Sequence, residues 1–460
     1  MVFSNPVFLW LFLPATLAVY FLSGRPLRNG ILLAASLFFY AWGEDEYVLI
    51  LIASILMNYA AGRWIGPAKG RMRLIALWTG IACNLLLLAY FKYTGFLLGS
   101  LNVANAQEIA PALPIGISFF TFQALSYLVD LYFRRVAMQR NPFDLALYIS
   151  LFPQLIAGPI VRYAEVETAL EDRSTSRSDV SVGMERFVHG LAKKTLIADP
   201  MGLVADQIYA IPAGGLTPET AWAGAIAYSL QLYFDFSAYS DMAIGLGRIL
   251  GFRFPENFNY PYVSTSVTEF WRRWHMTLSR WFRDYLYIPL GGNRRGAART
   301  YVNLLLVFLA TGLWHGAAWT FVAWGLWHGM FLILERLGLA RVLDAVPRAV
   351  THAYLLLVVV AGWVLFRADS FDQAMEFYRA MFLFRSGPEA VFHPLPRYLD
   401  AYAIAVAAVA IPISAGLRPW LERRFATGAM TSEVWFWALF ILAIVSVGAA
   451  SYSPFIYFRF

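Results

Sequence analysis

The sequence predicts an all-α polytopic membrane protein, and three observations carry that prediction. Of 460 residues, 59% are apolar and 17% aromatic, while only 14% are charged. Soluble chains carry about 25% charged residues and have no use for so much apolar surface. Apolar stretches close to the length of a bilayer span recur along the whole sequence. The 16 tryptophans and 25 tyrosines suit the two membrane–water interfaces, where rings with one apolar and one polar end collect.

Taken in order, the candidate spans are 6–22, 29–42, 47–64, 74–91, 113–133, a weaker 143–160, 187–211 and 221–250. They continue with 302–313, 320–337, 354–366, 401–415 and 434–449. This gives about 11–13 transmembrane or re-entrant helices in one integral domain, 1–460. The first stretch lacks a basic leader and a small-x-small cleavage site, so it reads as a retained span. Loop charge then alternates. Arg25 and Arg28 follow the first stretch, Glu44, Asp45 and Glu46 the second, Arg63, Lys69, Arg71 and Arg73 the third, and Arg134, Arg135 and Arg140 the fifth. Basic loops stay in the cytoplasm, which places the N-terminus outside. The net charge of +7 is thus a topology signal, and no nucleic-acid partner is expected.

Two stretches depart from plain spanning helix. FPQLIAGPIV, 152–161, holds two prolines, a glycine and Gln154 in apolar surroundings, the mark of a broken helix facing protein interior. From 253 to 300 there is too much charge to span and too many aromatic residues for an ordinary loop. Within it, Ser266 and Glu269 have capping-box spacing, so an amphipathic helix is expected over about 267–288. At 100° per residue, Trp271, Trp274, Leu278, Trp281, Phe282 and Tyr285 share one arc, and Arg272, Arg273, Arg280, Arg283 and Asp284 the other. His275 falls on the flank, where its ring is expected to face an aqueous passage.

The candidate functional residues gather in and around 257–329. His315 ends an apolar run in GLWHG, and a titratable ring at that depth needs either a backbone partner or a chemical purpose; position alone leaves the two level. For His275, position alone favours a solvated interfacial ring. His328 repeats the string as GLWHG and is read as structural, while His189, His352 and His393 fall near span ends or in loops. The three central histidines lack a tight ligand spacing, so no metal is expected. Cys83, the single cysteine, lies in an apolar run and is read as packing. Asp235 and Asp241, in YFDFSAYSDMAIGLG, are costly at membrane depth and are expected to line an interior or cavity. Arg294 and Arg295 read as a cytoplasmic anchor, with contact to the phosphates of a donor substrate as the other reading. Broken helices with buried acids and histidines fit a proton-coupled transporter as well as an enzyme. No GxSxG elbow is present to suggest a serine hydrolase.

The strings themselves separate those readings. EFWRRWHMTLSRWFRDYLYIPLGGNRRG followed by TGLWHG and AAWTFVAWGLWHG resembles the membrane-bound O-acyltransferase (MBOAT) family. LPIGISFFTFQALSYLVDLYF, LFPQLIAGPIVRY, YFDFSAYSDMAIGLGRILGFRFPENFNYPY and the C-terminal SPFIYFRF are similar to its bacterial branch, which acetylates exopolysaccharides such as alginate. The resemblance implies a ring of helices around a thin centre with a through-tunnel. It gives His315 the catalytic position and His275 the accompanying one, lining the acyl passage or holding the acyl group. Gln154, Asp235, Asp241 and Asn257 lie in matching motifs as candidate substrate-binding residues. It further implies acetyl-CoA as cytoplasmic donor, with no bound cofactor, and a periplasmic acetyltransferase partner with its polysaccharide machinery. D-alanyl or other acyl transfer to a cell-envelope polymer is the nearest alternative.

Overall fold

The computed structural model describes residues 1–417, 420–421, 429–449 and 455–456. Among them there is no β-strand, and each of the thirteen expected apolar stretches falls mainly on helix. Four helical segments are long and apolar enough to cross a membrane: Arg25–Ile65, Gly70–Ser100, Ala297–His315 and Arg348–Arg367. Phe8–Leu22, Ala401–Ser414 and Glu433–Ala449 are shorter apolar helices. The remaining expected spans fall on helices that are shorter, interrupted or less apolar. The SPFIYFRF string lies outside the described residues apart from Phe455 and Ile456. The chain divides into two compact units, Met1–Val188 with Tyr239–Glu256, and His189–Ala238 with Asn257–Phe460.

The first unit opens with a π turn, Phe8–Phe12, and α1 (Leu13–Leu22), with Pro14 in the first turn, where its missing N–H is tolerated. Helices α2 (Arg28–Glu44) and α3 (Val48–Ile65) are parted at Asp45, whose φ is 43°. Next come α4 (Gly70–Ser100), the short α5 (Ala106–Ile109) and α6 (Ile117–Tyr132). Helix α6 is buried on nearly every face, its polar Ser118, Thr121, Gln123, Ser126 and Asp130 included, with α3 and α4 packed on it. The break expected in FPQLIAGPIV is present. Helix α7 (Pro142–Ser150) stops, Ser36 Oγ accepts from Phe152 N at 3.1 Å, and α8 (Phe152–Leu155) restarts with Pro153 in its first turn. Residues 151–161 are all buried, so the freed backbone groups face protein. Helix α9 (Tyr163–Glu171) and most of α10 (Arg177–Lys193) complete this unit.

In the second unit a π turn at Lys194–Ala198 leads into α11 (Asp199–Tyr209) and the first part of α12 (Pro218–Ile249), which from Tyr239 on belongs to the first unit. The helix expected over 267–288 is not continuous. Helix α13 (Val267–Arg273) starts where the spacing predicts, with Ser266 Oγ accepting from Glu269 N at 3.1 Å, but it ends before Trp274. A new helix, α14 (Met276–Phe282), then runs into a π turn at Arg283–Tyr287. Helices α15 (Ala297–His315) and α16 (Trp319–Leu334) form a hairpin. It closes tightly because a Cβ on Gly312 would strike the Phe321 carbonyl, and one on Gly325 the Phe308 carbonyl. After a π turn at Glu335–Leu339 come α17 (Ala340–Asp344), α18 (Arg348–Arg367), α19 (Phe371–Leu383), α20 (Ala401–Ser414) and α21 (Ala429–Ala449).

Candidate active site

His275 occupies the break between α13 and α14, in the left-handed region at φ 44°, ψ 54°. That conformation costs a non-glycine residue about 1–2 kcal/mol. A segment just upstream offsets it. Asn257 O accepts from Met276 N at 2.9 Å, and Asn259 N donates to Arg273 O at 3.0 Å, taking over backbone groups that a continuous helix would have paired. The Asn257 side chain completes the clamp. Its Oδ1 accepts from Thr277 N at 3.3 Å and Thr277 Oγ1 at 2.9 Å, and lies 3.0 Å from His275 Nδ1. A backbone N–H can only donate, so the atom facing His275 is an oxygen and Nδ1 carries the proton. In the neutral ring the lone pair is then on Nε2. The side chain is 1% exposed, packed edge-on to Phe236 with centroids 4.6 Å apart. The expectation of a flank facing an aqueous passage is therefore corrected: the break turns the ring inward. The two arcs survive the break, with Trp271, Trp274, Leu278, Trp281 and Phe282 buried and Arg272 and Arg283 exposed.

His315 is the last residue of α15 and is 4% exposed. Its ring meets Trp324 at 5.0 Å and Phe366 at 5.1 Å, both edge-on. Trp314 joins the two histidines: its ring centroid lies 4.9 Å from His315 and 5.9 Å from His275. His328, on α16, continues the series beyond Trp324, 5.3 Å away, and is held by Trp271 at 5.0 Å. It is fully buried, and neither ring nitrogen has a hydrogen-bond partner among the described residues. The GLWHG repeat thus has a packing reason. The glycine of each copy lies at the helix crossing, and the histidine one turn later falls beside Trp324.

The other expected residues are dispersed. Asp235 is 2% exposed and engaged by Lys194 at 2.7 Å and by Ile456 N at 2.7 Å, while Lys194 also pairs with Asp199 at 2.7 Å. Its neighbour Phe236, not Asp235 itself, packs on His275. Arg294 and Arg295 are exposed in the turn before α15. They are separated from His315 by that whole helix, about 27 Å at 1.5 Å per residue. Asp241 and Gln154 belong to the first unit. There Arg186 holds Asp241 at 2.9 Å and Glu256 at 2.5 Å, and Gln154 Nε2 donates to Tyr148 O at 2.6 Å. Of the remaining histidines, His352 Nδ1 lies 3.1 Å from Ser264 O and His393 Nδ1 2.5 Å from Tyr398 Oη. Sequence reasoning missed Trp314, Trp324, Phe236 and Lys194. The two tryptophans were signalled by their places in the histidine strings, and Lys194 by a lysine inside an apolar stretch.

Apolar helices of bilayer length, with two histidines buried around one indole, define an integral membrane protein with a polar cluster inside it. The chain belongs to the membrane-bound O-acyltransferase (MBOAT) family, whose match covers residues 133–371. It is 42% identical to the "Probable alginate O-acetylase AlgI" of Pseudomonas putida, over 100% of both chains. It is 36% identical to the "Peptidoglycan O-acetyltransferase" of Helicobacter pylori, over 83% of this chain and 80% of that one. A "Teichoic acid D-alanyltransferase" of Bacillus subtilis is 28% identical over 44% of this chain and 54% of its own. The protein is a membrane O-acyltransferase.

Proposed function

We propose that this protein moves an acetyl group from a cytoplasmic donor, acetyl-CoA, across the bacterial inner membrane for O-acetylation of an exopolysaccharide such as alginate. A periplasmic acetyltransferase partner and the polysaccharide machinery take the group onward. The observation that carries the reading is the meeting of His275 and His315 on Trp314, inside protein and away from bulk water. His315 is the base. It takes the acceptor hydroxyl proton as the oxygen attacks the thioester carbonyl carbon; the C–S bond then breaks, and the departing thiolate takes that proton back. His275, its Nδ1 proton committed to Asn257, presents Nε2 as an acceptor that orients the incoming hydroxyl. Asn257 is a positioning residue. Arg294 and Arg295 meet the donor's phosphates. Asp235, Asp241 and Gln154 hold the frame through the partners each already has.

Around this site we place a ring of helices about a thin centre with a through-tunnel, the whole chain acting as one domain. The family match supports that partition because 133–371 draws on both units. The alternation of basic and acidic loops supports a periplasmic N-terminus. Acetyl transfer is favoured over D-alanyl transfer by the identity and coverage of the O-acetylating relatives. The test is turnover of labelled acetyl-CoA by purified protein with its acceptor. His315→Ala is expected to lower turnover at least about 10³-fold, and His275→Ala less, with both proteins eluting as the wild type does. Retained activity in His315→Ala removes it from the role of base, and turnover of D-alanyl thioester in place of acetyl-CoA replaces the acyl group.

A further inference from the structure

A cavity of about 860 Å³ opens in the second unit between the start of α13, the π turn Glu335–Leu339, α17 and the first turn of α18. Arg272, Arg336, Arg341 and Arg348 line it, all four exposed and none in an ion pair among the described residues. Three carboxylates share the lining, and two are already engaged. Glu335 accepts from Val267 N at 2.6 Å and from Thr268 N at 2.9 Å. Glu269 pairs with Arg273 at 2.9 Å and accepts from Thr265 N at 3.0 Å. Glu335 keeps its negative charge while accepting its backbone bonds, so Glu335 and Asp344 offset two of the four guanidiniums and the cavity stays basic.

The fold maintains this arrangement at some cost. Gly338, at φ 141°, ψ −13°, turns the chain from the π turn into α17, a conformation closed to other residues, and so brings Arg341 back to the same cavity as Arg336. Arg336 Nη1 also donates to Asn293 Oδ1 at 3.2 Å, joining the cavity edge to the turn that carries Arg294 and Arg295. The cavity is connected to the histidines by two helices. Helix α13 starts in its lining and ends two residues before His275, about 10 Å along the axis. Helix α16 runs back from Glu335 to His328 and Trp324.

We propose that this cavity binds a phosphate-bearing ligand, held by paired N–H groups of its arginines on phosphate oxygens. Two sources supply that chemistry: the phosphates of a coenzyme A thioester, an assignment that rests on the function proposed above, and the headgroup of an anionic phospholipid. The experiment compares full-length wild type with Arg336→Gln/Arg341→Gln and with the double lysine variant. It reads coenzyme A affinity in detergent, and the rise in unfolding temperature on adding phosphatidylglycerol rather than phosphatidylcholine. The expected result is a loss of about tenfold or more in coenzyme A affinity with glutamine, partly restored by lysine. An unchanged coenzyme A affinity with loss of the phosphatidylglycerol effect assigns the cavity to lipid and equally supports the proposal. If the glutamine variant alters neither quantity, the proposal is overturned. Should that variant not be recovered folded, wild-type binding decides: affinity for both probes that is unchanged between about 50 mM and 500 mM salt also overturns it. Because binding is read without turnover, His315→Ala, expected to bind coenzyme A as wild type does, separates failure here from failure of the acyl-transfer reading.

Discussion

Replacing Asn257 with alanine removes the acceptor that holds His275 Nδ1 and the side-chain partner of Thr277. The ring is then free to exchange tautomers and to rotate, so turnover is expected to fall about 10²-fold with the donor KM little changed. Steady-state kinetics on the purified variant check this, and an unaltered kcat would show that His275 needs no such clamp. The assignment of Asn257 illustrates how far single residues could be read. Its motif placed it among candidate binding residues, but nothing in ENFNY says that its carbonyl will take Met276 N or its amide oxygen face His275. Asp235 is the converse case. The sequence marks it as an acid too deep to be idle, and the structure pairs it with Lys194, since an isolated buried carboxylate is too costly to persist.

The α15–α16 hairpin sets where both GLWHG histidines lie, and its closeness depends on Gly312 and Gly325. Gly325→Ala forces a methyl group against the Phe308 carbonyl. The expected cost is about 1–3 kcal/mol, seen as a lower unfolding temperature in detergent, together with reduced turnover as Trp324 and His315 shift. A fully stable, fully active Gly325→Ala protein would mean the hairpin can open without moving the site. The duplicated string was visible at once, but its reason was not, because a helix crossing is a relation between two segments. The same limit explains the amphipathic helix. Its start at Ser266, its polar and apolar arcs and its end before Pro289 follow from capping and periodicity. Its interruption at Trp274–His275 comes from Asn257 and Asn259, which lie outside the window that periodicity reads.

For the molecule as a whole, the charge pattern of the first loops fixes the expected orientation. With Cys83→Ser as background, a cysteine at Lys69 is expected to react with an impermeant maleimide only after the inner membrane is opened, and one at Asp45 in intact spheroplasts. The reverse labelling would invert the expected orientation of these first helices. Such a result would leave the family membership untouched.

Composition and the period of apolar residues determined the membrane class and the helical make-up, and the prolines of FPQLIAGPIV the break there, because these depend on local segments and their transfer from water to lipid. The histidine strings determined the family. Which histidines meet, which face inward, and which acids are already paired depended on contacts between segments far apart in the chain. Side chains such as Trp314 and Asn257 acquire their roles from neighbours that no local pattern specifies.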